Sequence, residues 1–195
     1  MGDQFWQDNN IEPKRGYRFI LSIPGRGGGN GTNGASTGVR QYLIQSVKKP
    51  AWTVSSQDLQ YLNHTFHYPG RVTWGPVSFQ IVDTVDVGAN GTVELMKLLV
   101  EAGYELPEPV GVDGKGLKSI SKADATTSLG QVRIKTLNAS GATVEEWVLN
   151  NAWISNAEFG DLSYAEEGLL KVNVSLQYDN AYVEFDGNKV PYSSG

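Results

Sequence analysis

One stretch near the end of the chain restricts the fold more than any other. Leu169 to Tyr178 reads LLKVNVSLQY. Leu170, Val172, Val174, Leu176 and Tyr178 fall on one side of an extended strand, and Lys171, Asn173, Ser175 and Gln177 on the other. Successive strand side chains point to opposite faces, so an unbroken alternation predicts a half-buried strand. One face meets a core and the other meets water or a polar partner. The segment from Gln131 to Phe159, read as a hairpin, is its expected neighbour.

The remaining chain supplies further strands. Tyr17 to Ile23 alternates, then Gly25 to Gly38 (GRGGGNGTNGASTG) reads as a surface loop. Gly29, Gly31 and Gly34 form a formal G-x-G-x-x-G, but no capped helix follows to hold a pyrophosphate. Val39 to Val47 and Trp52 to Leu62 read as extended, and Tyr68-Pro69-Gly70 as a turn. Arg71 to Asp83 reads as one long strand, bent or bulged at Gly75-Pro76 because proline has no N–H for the ladder. In it Val77, Phe79 and Ile81 oppose Ser78 and Gln80.

Asn90 to Gly103 carries a helical stripe of Leu95, Leu98, Leu99 and Ala102, widened by Val93 and Met96. Asn90 or Thr92 is suited to cap it, and Gly103 to end it. Tyr104 to Gly130, rich in proline and glycine, reads as irregular. A strand from Gln131 to Leu137, a turn at Asn138 to Gly141 and a strand from Thr143 to Phe159 complete the expected sheet. Asp186 to Gly195 reads as a tail.

The chemistry of catalysis finds no foothold. The 195 residues contain no cysteine, which removes disulfides, thiolate metal sites and thiol nucleophiles. The two histidines, His64 and His67, would point to opposite faces of a strand, with no further ligand nearby. Glu145 and Glu146 are adjacent, so a regular strand separates them rather than pairing them. Glu166-Glu167 reads as a solvated acidic turn. No triad, metal cluster or phosphate loop is assembled, and the chain is read as a non-enzyme without metal or cofactor. The net charge of −5 argues against general nucleic-acid binding. No apolar run is long enough to span a bilayer, and the acidic start MGDQFWQDNN lacks the pattern of a secretory signal.

The order of elements and one long segment carry a resemblance. ATVEEWVLNNAWISNAEFGDLSYAEEGLLKVNVSLQYDNAYVEF resembles the C-terminal half of tail tube proteins of contractile-tailed bacteriophages. The matching positions are Leu149, Asn151, Ala152 and Trp153, then Asp161-Leu162, then Val172 to Asp179. The strand Tyr17 to Ile23, Gln45 to Pro50, the strand Arg71 to Asp83 and the helix Thr92 to Ala102 precede it in the family's order. Gly25–Gly38 and Leu106–Ser128 look like insertions.

The resemblance implies a mainly β fold: a two-sheet antiparallel β-sandwich with one flanking α-helix, its inner sheets joining across subunits into a barrel. The sandwich would span 17–185, between an N-terminal arm (1–16) and a flexible tail (186–195). It implies hexameric rings that stack into the inner tube of a phage tail. The partners would be further copies, the tail sheath, and the baseplate and terminator proteins, with DNA passing through unbound. Such a protein is assembled in the host cytoplasm and resides in the virion. On this reading Lys171, Asn173, Ser175 and Gln177 are candidate channel-lining residues. Phe5 and Trp6 are candidate contacts between rings. A needle subunit of a type VI or other contractile injection system, or a tube-initiating baseplate protein, is the alternative with the same fold. A carbohydrate-binding β-sandwich using Trp52, Trp74 or Tyr61 is the alternative from another class.

Overall fold

The computed structural model describes residues 12–25, 41–86, 90–105, 119–165, 167–185 and 188–190. Phe5, Trp6, most of the glycine loop and residues 106–118 lie outside them. The expected two-sheet antiparallel sandwich is what the chain forms. Strands β1 (Phe19–Ser22), β6 (Val132–Leu137), β7 (Thr143–Asn150), β10 (Asn180–Phe185) and β11 (Asn188–Val190) make one sheet in that order. Strands β2 (Ile44–Val47), β5 (Val77–Val82), β9 (Lys171–Gln177) and β8 (Trp153–Glu158) make the other. Among the described residues, strands β3 (Trp52–Tyr61) and β4 (His64–Trp74) pair only with each other, as a long hairpin. Every pairing is antiparallel.

The alternation in β9 sets the core. Val172, Val174 and Leu176 are fully buried, as are Val77 and Ile81 on the adjacent β5. They pack against Ile134, Val132 and Leu149 of the opposing sheet, in one continuous cluster with Leu21 and Phe79. The polar residues of β9 are left on the outer face.

The helix α1 (Gly91–Glu101) flanks this sandwich. Asn90 caps it, its side chain accepting from the Val93 N–H at 2.9 Å. Asp83 takes the N–H groups of Gly91 at 2.9 Å and Thr92 at 3.4 Å, so the first turn is satisfied. Leu95, Leu98 and Ala102 are buried, whereas Val93 and Met96 are exposed. Gly103, with φ of 103°, ends the helix in a conformation that favours glycine. Asn90→Ala should cost about 1 kcal/mol. Thermal unfolding should then show a midpoint lowered by about 3 °C; an unchanged midpoint would mean that Asp83 alone holds this end.

Several boundaries differ from the sequence reading. Tyr68-Pro69-Gly70 is no turn but part of β4; the reversal occurs at Leu62-Asn63, where Leu62 has a φ of 52°. Arg71–Asp83 is two strands, because Gly75-Pro76 breaks it completely and β5 leaves for another sheet. Thr143–Phe159 likewise divides at Asn151 (φ 54°), which carries the chain from the five-stranded sheet to the four-stranded one. The β6–β7 hairpin therefore faces β9 across the core, and β8 is its neighbour in the sheet. A second helix, α2 (Lys122–Leu129), stands where irregular chain was expected. Asn188–Val190 continues the five-stranded sheet as β11 beyond Asp186.

Candidate functional site: a polar sheet face and a standing hairpin

The outward face of the four-stranded sheet is built from cross-strand rows. In one row Ser46, Gln80, Asn173 and Glu158 lie side by side, and in the next Ser78, Ser175 and Asn156. Ser46 Oγ donates to Gln80 Oε1 at 3.3 Å, and the hydroxyls of Ser78 and Ser175 meet at 3.3 Å. Asn156 Nδ2 donates to Glu158 Oε1 at 3.1 Å. These side chains, with Lys48, line a shallow depression of about 520 Å³. Asn173 and Ser175 thus sit in the middle of this face. Lys171 and Gln177 lie at its two ends, opposite Val82 and Trp153 respectively. Ser78 and Gln80 were legible as the polar side of their strand; Asn156 and Glu158 were hidden in the over-long strand.

Among the described residues the sheet ends in strands with one neighbour each, β2 and β8. Each leaves a row of backbone groups free to pair with another strand. Beside β2 a cleft of about 860 Å³ opens between the sheets, lined by Lys14, Arg15, Arg18, Lys49 and Tyr42 among others. Near β8, helices α1 and α2 enclose an apolar groove of about 290 Å³ with Met96, Leu99, Ile120, Trp153 and Phe159.

The hairpin β3–β4 is exposed along its length, apart from Trp74 at its root. It leaves the sandwich through Ala51 and Gly75, whose backbone N–H donates to Ala51 O at 2.8 Å. There the Trp74 and Tyr178 rings pack with centroids 5.9 Å apart. A bulge lies where Val54 opposes Val72 but Ser56 opposes Pro69, so β4 carries one residue more than β3. Beyond the bulge, Leu59 faces Phe66, Tyr61 faces His64 and Gln57 faces Tyr68, all on one side of the ribbon. Leu59, Tyr61, Phe66 and Tyr68 are 49–67% exposed. The other side is polar, with Asp58 Oδ1 2.7 Å from His67 Nδ1. The two histidines do face apart. Trp52 and Tyr61 also fall on opposite ribbon faces, roughly 30 Å apart along the strand, and Trp74 is partly buried. Trp52 and Trp74 are cross-strand partners at the root of the hairpin, and Tyr61, at its far end, does not join them in one platform for a sugar.

One carboxylate ties this end of the molecule together. Glu145 is 8% exposed and receives Lys14 Nζ, Lys49 Nζ at 2.7 Å and Trp147 Nε1 at 2.6 Å. Burial raises its pKa, but these three donors outweigh burial and hold it at about 2. Glu146 points the other way, to Arg133 at 2.9 Å and Lys135 at 3.7 Å. The expected separation of the two acids is therefore what the strand provides.

No protein-family model matches the sequence, and no curated protein matches it. Solved structures do match in shape. A chain of the anti-feeding prophage baseplate covers 90% of this chain and 97% of its own length, with a TM-score of 0.60 and 14% identity. A chain of an extracellular contractile injection system, solved as the PVC sheath/tube terminator in the extended state, covers 90% and 99% with a TM-score of 0.59 and 14% identity. A chain of the anti-feeding prophage tube-terminating cap covers 94% and 99% with a TM-score of 0.57 and 13% identity. At such identities the likeness is one of fold.

Proposed function

We propose that this chain is a structural subunit of the hollow inner tube of a contractile tail or injection machine. One observation carries the reading: among the described residues, a single sheet has an uncovered polar face and two borders with no strand beside them. Such borders are a hazard in a solitary molecule. Copies arranged around an axis join β2 of one to β8 of the next and close a barrel with no free edge. The strand directions suit this, because β2 and β8 run in opposite senses within the sheet and so meet as an antiparallel pair. The polar face then lines the channel, with Asn173 and Ser175 central and Lys171 and Gln177 at the two mouths. Serine, asparagine and glutamine dominate its middle and give cargo little to hold, while the charged Lys48, Glu158 and Lys171 stand towards its ends.

The finer reading is a phage tail, with six-fold rings, a sheath outside, baseplate and terminator proteins at the ends, and DNA in transit. An injection-system tube is the second reading. It is favoured by the structural neighbours, which come from such machines by their own descriptions.

Electron microscopy of the purified protein tests the proposal. Rings or tubes with a central hole are expected. A monomer at every concentration, with intact folding, would sink it. Tubes formed after removal of residues 1–16 would separately reject the stacking role of Phe5 and Trp6.

A further inference from the structure

The apolar groove of about 290 Å³ beside β8 is continuous with the core. Leu98 and Leu129, at its base, belong to the buried cluster. Met96, Ile120, Trp153 and Phe159, at its rim, remain 36–47% exposed. Among the described residues nothing covers them. Trp153 to Ala157 line the groove without a gap, so it runs along a free border of the four-stranded sheet.

The opposite border, β2, holds the root of the N-terminal segment. Lys14 and Lys49 both reach Glu145, and Lys14, Arg15 and Arg18 line the cleft beside β2. The Lys48 N–H donates to Ser78 O at 2.8 Å, so Lys49 stands level with Val77. Val77 pairs with Leu176, and Leu176 with Ile154. The root and the Trp153 end of the groove therefore share one level across the sheet. Both also lie on its core side, away from the polar face. Upstream of the root the sequence places two adjacent aromatics, Phe5 and Trp6. The six residues from Trp6 to Glu12 reach about 20 Å when extended. The groove of the same copy is three strand spacings from β2, about 14 Å, and on the far side of the packed core. Where β2 meets β8 of a next copy, that copy's groove is one spacing away, about 5 Å.

We propose that Phe5 and Trp6 of one copy fill the groove of the next copy around the ring, beside the β2–β8 junction. The aromatic pair covers Met96, Ile120, Trp153 and Phe159 and removes their apolar surface from water. Glu145, by holding Lys14, keeps the start of the segment at the border it must cross. The inference rests on the tube reading and deepens it. It assigns the two aromatics to neighbours within a ring, not to contacts between rings, and the groove is complete only when a second copy supplies them.

The chain has no cysteine, so an introduced pair reports a single contact. The full-length chain with Gln7→Cys and Ile120→Cys is assembled, and single rings are separated from tubes by sedimentation. After mild oxidation, a denaturing gel should show a ladder of cross-linked copies. A cross-link confined to single chains would place the segment on its own groove and overturn the proposal. Rings without cross-links overturn it too, as do cross-links that form in tubes but not in single rings. Two further variants probe the two sides of the contact: Phe5→Ala with Trp6→Ala, and Met96→Arg. Each should keep the wild-type thermal midpoint within a few degrees. Each should need about tenfold more protein, or more, to form rings. Ring formation by either at the wild-type concentration also overturns the proposal. All these failures leave the ring reading intact; a wild-type monomer at every concentration overturns both.

Discussion

Val174→Asp should abolish cooperative folding, while Ser175→Asp, one residue along the same strand, should leave the subunit folded. Val174 has no exposed surface and lies between β5 and β8 in the middle of the four-stranded sheet. A carboxyl placed there finds no donor among Val172, Leu176 and Phe79, its neighbours in the same cluster. Burying a polar group without a partner costs about 4 kcal/mol in an apolar setting, and the lost valine burial adds about 2. Against a typical total stability of 5–15 kcal/mol, roughly 6 kcal/mol leaves little or nothing. Ser175 points to the polar face beside Ser78 and Asn156, so its replacement should cost under about 1 kcal/mol. Circular dichroism with thermal or urea unfolding checks both. If the two variants melt alike, the division of β9 into a core face and an outward polar face is wrong. If Ser175→Asp also assembles into rings, the polar face tolerates charge as an open lumen does.

That division was legible because period-two alternation is a local property, and β9 and β5 display it without an error. Which sheet a strand joins is not local. Asn151 sends the chain across the sandwich and Gly75-Pro76 returns it from the hairpin to the four-stranded sheet, and nothing in the composition beside them says how far it turns. Tyr68-Pro69-Gly70 has the composition of a turn, yet its residues serve a bulge. A Cβ on Gly70 would lie 2.3 Å from Ser55 Oγ, so glycine is needed for close approach, not for reversal. Helix α2 was missed because Thr126, Thr127 and Ser128 are weak helix formers. Its signal was Ser121, which caps the Asp124 N–H at 3.0 Å in an S-x-x-D pattern. The outward polar face was half read, through Asn173, Ser175, Ser78 and Gln80. The standing hairpin and its aromatic face depend on the bulge, which shifts the register of β4 by one residue and cannot be placed from one strand alone.

Glu145 was equally invisible, since its partners Lys14 and Lys49 lie 131 and 96 residues away. Replacing it should nevertheless be among the costliest single changes. Glu145→Ala removes the anchor shared by the root of the N-terminal segment and the foot of the hairpin, and strands the Trp147 N–H. Loss of one partner from a buried ionic group costs 3–5 kcal/mol, but both lysines are about half exposed. Solvent therefore reduces the expectation to roughly 2 kcal/mol, or 4–8 °C in the melting midpoint. The pH dependence gives an independent reading. The carboxyl of Glu145 titrates at about 2 when folded, against 4.5 ordinarily. Its folded value is the lower, so the stabilisation is complete above about pH 4.5 and drains away as pH falls towards 2. Asp83 is also held below its usual range, its burial outweighed by hydrogen bonds from Thr92, Thr84 and Gly91, so the wild-type acid slope has more than one source. The decisive quantity is the difference between wild type and Glu145→Gln, measured by urea unfolding at pH 7, 4 and 3. The two curves should converge as the medium becomes acidic, because protonation gives the wild type the neutral group that glutamine already has. Parallel curves would show that the three donors do not hold this carboxylate. The hairpin foot and the N-terminal segment would then need another explanation for their common position at one end of the sheet.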